Sequence, residues 1–222
     1  MPSWGIPDFL ITFALWLFFS VVGVGIAAAF GDGQMKTGPG VLIALTVPWI
    51  GLAGWPLLVS WWHGNGPVLD YGLTRRPSDL LWGVLYGGIA IVAAAAIAAL
   101  TQHFFGEFDS AAGEVGSAMT SLPSKIAFGL LVGLGAPIVE ELAFRGLLFG
   151  SLAKRGWGPV ISIGVSALVF SCFHFEPIRI PLLLSTGLIL GWARYHRGST
   201  TVSIIAHMTN NIPAAIALVL MS

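Results

Sequence analysis

At 222 residues, with 56% of them hydrophobic and only 9% charged, the chain is far poorer in charge than a soluble globular domain, which carries about 25%. Its mean hydropathy is +0.87 and its net charge is zero. These values place it in the integral-membrane class, leave no length for a second soluble domain beside a helical bundle, and offer no basic patch for a nucleic-acid partner.

A membrane-spanning helix needs about 20 mainly apolar residues, and seven stretches meet or approach that. The first, 7–29, has no basic region before it and exceeds the ~7–15 residues of a signal sequence's apolar core, so it reads as a retained helix. The second and third, 40–62 and 80–101, carry no charge at their centres. The fourth, 125–153, is long, and a tilt or kink is expected near Pro137. The fifth, 158–175, and the sixth, 178–192, are short and separated only by Glu176-Pro177. That link is expected below the membrane surface, a position open to irregular backbone only where it lines a cavity. The seventh is 201–221. The expected fold is an all-α polytopic transmembrane bundle of about seven membrane segments, forming one domain over 1–222.

The loops 31–38, 63–77 and 106–123 are rich in Gly and Pro, and Trp4, Trp55, Trp61, Trp62, Trp82 and Trp157 near segment ends fit an interfacial aromatic belt. Gly87-Gly88 and the alanines of 93–96 suit close helix packing. Arg75, Arg76, Lys154, Arg155, Arg194 and Arg197 fall on one side, against Lys36, Lys125 and Arg179 on the other. The positive-inside bias then places the N-terminus in the cytoplasm and the C-terminus outside; Arg75-Arg76 and the 194–197 arginines also suit contact with anionic headgroups. His63, His103 and His196 lie at loops or segment ends and need no function. Cys172, the single cysteine, has no partner for an internal disulfide and is expected to be a buried thiol.

The ionisable residues inside apolar segments are Glu140, Glu141, Arg145, His174 and His207, with Asn211 as a polar companion. A charge at a helix centre costs ~2.5–3.5 kcal/mol even on insertion scales, so the cluster is expected to face the bundle interior and serve a purpose. Glu141 and Arg145, at i and i+4, share a helix face and read as a charge-assisted clamp. Glu140, rotated by about 100°, is left as the reactive carboxylate. Phe170 and His174, and likewise His207 and Asn211, repeat the i, i+4 spacing; the Phe170 ring is expected to pack beside the His174 imidazole. Glu140 with one histidine can deprotonate a water, and the other histidine with Asn211 can donate to a developing oxyanion.

Glu140-Glu141-x-x-x-Arg145, Phe170-x-x-x-His174 and His207-x-x-x-Asn211, in this order on successive apolar segments, resemble the CPBP family: CAAX proteases, bacteriocin-processing enzymes and abortive-infection-like proteins, with the type II CAAX prenyl endopeptidases among them. The resemblance covers about residue 125 to the C-terminus, so 125–222 would hold the catalytic core helices. It implies an intramembrane endopeptidase acting on a membrane-associated or lipidated peptide in the cell membrane. In that reading Glu140 and His174 activate the attacking water, His207 and Asn211 form the oxyanion site, and Glu141 and Arg145 support the first motif. Asn210, beside Asn211, is out of register with the motif. No metal is taken as required, although Glu140, His174 and His207 would also suit a three-ligand zinc set; no His-Glu-x-x-His pair accompanies them. Two other readings stand beside the protease: a non-catalytic membrane scaffold or immunity-type protein, and a proton-coupled transporter, which also uses Glu and His inside membranes but commonly shows internal repeats that are absent here.

Overall fold

The computed structural model describes residues 2–30 and 38–220, so Lys36 and residue 221 at the end of the seventh expected segment lie outside the described residues. Within them the elements are helical throughout. The order is α1 (Ile6–Phe30), α2 (Pro39–Thr46), α3 (Trp55–His63), α4 (Pro67–Asp70), α5 (Ser78–Phe105), α6 (Ala111–Ser117), α7 (Leu122–Leu130), α8 (Ala136–Glu141), α9 (Phe149–Lys154), α10 (Pro159–Phe173), α11 (Ile180–Arg197) and α12 (Thr200–Leu220). Among the described residues, five helical stretches are long and apolar enough to cross a membrane: Ile6–Ala29, Pro39–His63, Ser78–Phe105, Leu122–Lys154 and Thr200–Leu220. The fifth and sixth expected segments are instead the shorter α10 and α11.

Two of the five stretches are not uniform α-helix. α2 and α3 are joined through a π-helical turn at Ile50–Gly54, and α7, α8 and α9 through π-helical turns at Leu131–Gly135 and Leu142–Leu148. Pro137 stands in the first turn of α8, where a residue without an N–H can be accommodated once the preceding turn is widened. The irregularity expected near Pro137 is therefore a pair of π turns, and Glu140 and Glu141 sit between them.

α12 is central, packing on α5, α11, α7 and α8. Its approach to α5 depends on glycine: a Cβ on Gly87 would lie 2.6 Å from the Ala206 carbonyl oxygen and one on Gly83 2.5 Å from Ile205 Cβ, whereas Gly88 next door faces open space. Without a hydrophobic drive between helices in lipid, such close backbone contact supplies the packing. Cys172 is exposed, contrary to expectation. The inward face of α10 is formed by Ser162, Ile163, Ser166, Ala167, Phe170 and Ser171, and Cys172 turns away from it; in a membrane-class chain an apolar neighbourhood in sequence does not imply an interior position.

α10 and α11 form a hairpin whose tip packs on the first half of α1: the Phe173 ring lies 4.2 Å from that of Trp16, and Phe175 stacks on Trp16 at 6.2 Å. The reversal follows His174 directly. Phe175 holds a left-handed φ of 55°, which a bulky residue rarely adopts, and a 3-10 turn at Pro177–Arg179 leads into α11. The irregular link expected at Glu176-Pro177 is thus present, and Glu176 and Arg179 pair within it at 2.5 Å.

The opposite end of the hairpin meets a polar, basic rim. Lys154 Nζ donates to the Trp4 carbonyl at 2.5 Å, Trp4 Nε1 to Asp70 at 2.8 Å, and Arg76 to the Arg197 carbonyl at 3.4 Å. From this rim the 67–74 loop dips inward. Tyr71 is fully buried against Gly146, and its hydroxyl donates to the Pro56 carbonyl at 2.6 Å. Burial, reinforced by Asp70, pushes that hydroxyl above its ordinary pKa, so it remains a donor. The start of α12 is carried inward with the loop, because Thr200 bonds the Gly72 carbonyl through its N–H (3.0 Å) and the Tyr71 carbonyl through its hydroxyl.

Candidate active site

That inward start sets the depth of the site. At about 1.5 Å per residue, Glu141 lies thirteen residues before Lys154 and about 20 Å from the rim; His174 ends the 15-residue α10, about 22 Å from its start. His207 is only seven residues into α12, but the Tyr71–Gly146 level at which α12 begins is already about 12 Å deep, which brings His207 to the same height.

Glu141 and Arg145 are both 0% exposed, and Arg145 Nη1 donates to Glu141 Oε1 at 2.7 Å. The other arm of the guanidinium donates to the Gly187 carbonyl on α11 at 3.0 Å, and its centre stands 4.5 Å over the Phe170 ring, a cation–π contact in a dry setting. The same Glu141 Oε1 lies 3.0 Å from His207 Nδ1. Glu141 is thus a bridge between Arg145 and His207, a contact that sequence reasoning missed: partners 66 residues apart on different helices leave no periodic signal.

Each histidine has one ring nitrogen fixed by a neighbour. Nδ1 of His174 lies 2.8 Å from the Phe170 carbonyl, four residues earlier. That oxygen only accepts, so Nδ1 carries the hydrogen and closes an otherwise open carbonyl at the end of α10. His207 Nδ1 faces a carboxylate and donates likewise. With Nδ1 so engaged, the nitrogen left open in each ring is Nε2, and that of His207 lies 3.9 Å from Glu140 Oε2. Glu140 itself is partly buried, with a 16% exposed side chain. The Phe170 ring lies between the imidazoles, edge-on to His174 at 4.8 Å and to His207 at 5.7 Å.

Asn211, one turn beyond His207, donates its amide to the Val132 carbonyl at 3.2 Å and accepts from Asn210 at 3.0 Å; a side-chain amide has a second N–H to offer. The Val132 acceptor sits in the π turn that precedes α8, so the irregular helix and α12 are tied beside Glu140. Glu140, Glu141, Arg145, Phe170 and His207 are thus joined in one chain of contacts, with His174 attached through Phe170 and Asn211 through α12. Among the described residues, no three His, Cys, Asp or Glu side chains are grouped so that they could hold a metal ion; Glu140, His174 and His207, as they stand, do not form the three-ligand set.

Residues 122–213 match the family model described as Rce1-like, Type II CAAX prenyl endopeptidase Rce1-like. No curated protein and no solved structure matches the chain. The matched stretch begins at the first residue of α7 and ends within α12, so it contains all seven of Glu140, Glu141, Arg145, Phe170, His174, His207 and Asn211. Over residues 122–213 the chain is therefore similar to the type II CAAX prenyl endopeptidases (Rce1-like), consistent with the CPBP resemblance of its three motifs.

Proposed function

We propose that the chain is an intramembrane endopeptidase of the cell membrane that hydrolyses a peptide bond in a membrane-associated or lipidated substrate, with Glu140 and His174 activating the water. The observation that supports this reading is the meeting of the α8, α10 and α12 motifs at one depth around Phe170, with carboxylate and imidazole groups that can exchange a proton. In the reaction, Glu140, assisted by Nε2 of His174, takes a proton from water. The resulting hydroxide adds to the scissile carbonyl carbon, and the carbonyl oxygen becomes the oxyanion. His207 and the second N–H of Asn211 stabilise that charge. The oxyanion role requires His207 to carry a hydrogen on Nε2 as well, a form in which both ring nitrogens donate; it then has Glu141 on one flank and Glu140 on the other. Collapse of the intermediate breaks the C–N bond, and the proton held at Glu140 and His174 passes to the leaving amine.

The test is cleavage of a panel of lipidated and hydrophobic peptides by purified protein, with and without chelator. Glu140→Gln and His174→Ala should each lower the rate by roughly 10²–10⁴-fold, the range of positioned acid–base catalysis, with unchanged insertion and thermal unfolding. Activity should persist in chelator, since the carboxylate–imidazole pair supplies the base. Full activity in purified Glu140→Gln would remove this reading.

A further inference from the structure

An apolar groove lies away from the candidate site, between α5, α10 and α11. Its cavity volume is about 540 Å³, and Tyr86, Ile89, Val160, Ile163, Leu188 and Trp192 line it. It lies near the basic rim: Trp192 is five residues from the end of α11, and Val160 is in the first turn of α10. Above Trp192 and Tyr86 the wall turns amphipathic. The Tyr86 hydroxyl and His196 Nδ1 are 2.7 Å apart, Trp82 meets the His196 ring edge-on at 5.3 Å, and the Arg197 guanidinium stands 5.3 Å over Trp82. Arg76 reaches the Arg197 carbonyl, and Arg197 touches Ser78 at 3.2 Å.

None of Arg76, Arg194 and Arg197 has a carboxylate partner among the described residues. Asp79, the acid of this segment, accepts from Thr74 and Ser199 at Oδ2, while its Oδ1 is buried without a hydrogen-bond partner. Moreover, Nε of both Arg194 and Arg197 is buried without an acceptor, a costly state for a charged donor. An apolar groove, an aromatic collar above it and, over Trp82, an Arg197 guanidinium without a carboxylate partner together suit one amphiphile with an anionic head.

We propose that this groove is a binding site for one anionic phospholipid, with an acyl chain along Tyr86–Ile163–Leu188–Trp192 and its phosphate on Arg197 and Arg76. Guanidinium, a planar fork of donors, suits a phosphate, and Trp82 and the Tyr86–His196 pair sit at glycerol-backbone height. The site is independent of the catalytic residues.

Native mass spectrometry of the purified protein, with phosphatidylglycerol and phosphatidylcholine supplied in equal amounts, tests it. The wild type should retain one phosphatidylglycerol in preference to phosphatidylcholine. Arg76→Gln with Arg197→Gln should lower the preference roughly fivefold per arginine, and Arg75→Gln, exposed on the same loop, should keep more of it. Leu188→Trp, which fills the groove, should reduce retention of both lipids. Equal retention of the two lipids by wild type, or an undiminished preference in the Arg76→Gln/Arg197→Gln variant, would overturn the proposal, and so would unchanged retention in Leu188→Trp. Because peptide cleavage is not the readout, the result does not depend on the protease reading.

Discussion

Glu141 carries three tasks on one side chain: it neutralises Arg145, accepts from His207, and so fixes which nitrogen of that imidazole faces Glu140. Breaking a buried ion pair from one side leaves a charge without compensation, at a cost of about 3–5 kcal/mol, whereas replacing both partners with apolar groups is often close to neutral. Arg145→Met should therefore lower unfolding stability in detergent by about that amount. Arg145→Met combined with Glu141→Leu should recover most of the loss. Peptide cleavage should stay low in the double variant, because His207 Nδ1 would have no acceptor and its ring no fixed orientation. Recovery of stability and activity together would show that Glu141 has only a packing role.

Among the helices, the α5–α12 contact positions His207, which follows Ala206 directly. A side chain at Gly87 would meet the Ala206 carbonyl, while one at Gly88 would meet nothing. Gly87→Val should cost about 1–3 kcal/mol of stability through overpacking and depress cleavage by shifting α12. Gly88→Val should stay within about 0.5 kcal/mol of wild type, as an open surface position does. The comparison is internal, since both residues share one helix and one lipid environment; equal effects would mean that the close approach is not what seats α12.

Across the whole molecule, the rim that gathers Trp4, Asp70, Lys154, Arg76 and Arg197 opposes the end where α6 and its Glu114 pack beside the C-terminal part of α12. By the positive-inside bias, the excess of Lys and Arg at the rim predicts that this end faces the cytoplasm. In a Cys172→Ala background, Glu114→Cys should react with a membrane-impermeant maleimide on intact cells, and Arg155→Cys only after permeabilisation. The reverse pattern would invert the topology.

Composition and spacing alone determined the membrane class, the helical nature of the chain, the three motifs and an irregularity near Pro137, which the structure shows as π turns rather than a kink, because lipid allows so few ways to satisfy a backbone and because charges in apolar runs stand out at once. They also indicated the break at Glu176-Pro177, where a proline follows a short segment. Only the tertiary structure decided that α10 and α11 form a hairpin seated on Trp16, that Cys172 faces outward, and that Glu141 bridges Arg145 to His207. Depth was equally out of reach: the descent of α12 depends on Thr200 meeting Tyr71 and Gly72, over 120 residues away in the chain. Periodicity records which residues share a face of one helix; it carries nothing about which neighbour that face meets or how far into the bundle the helix begins.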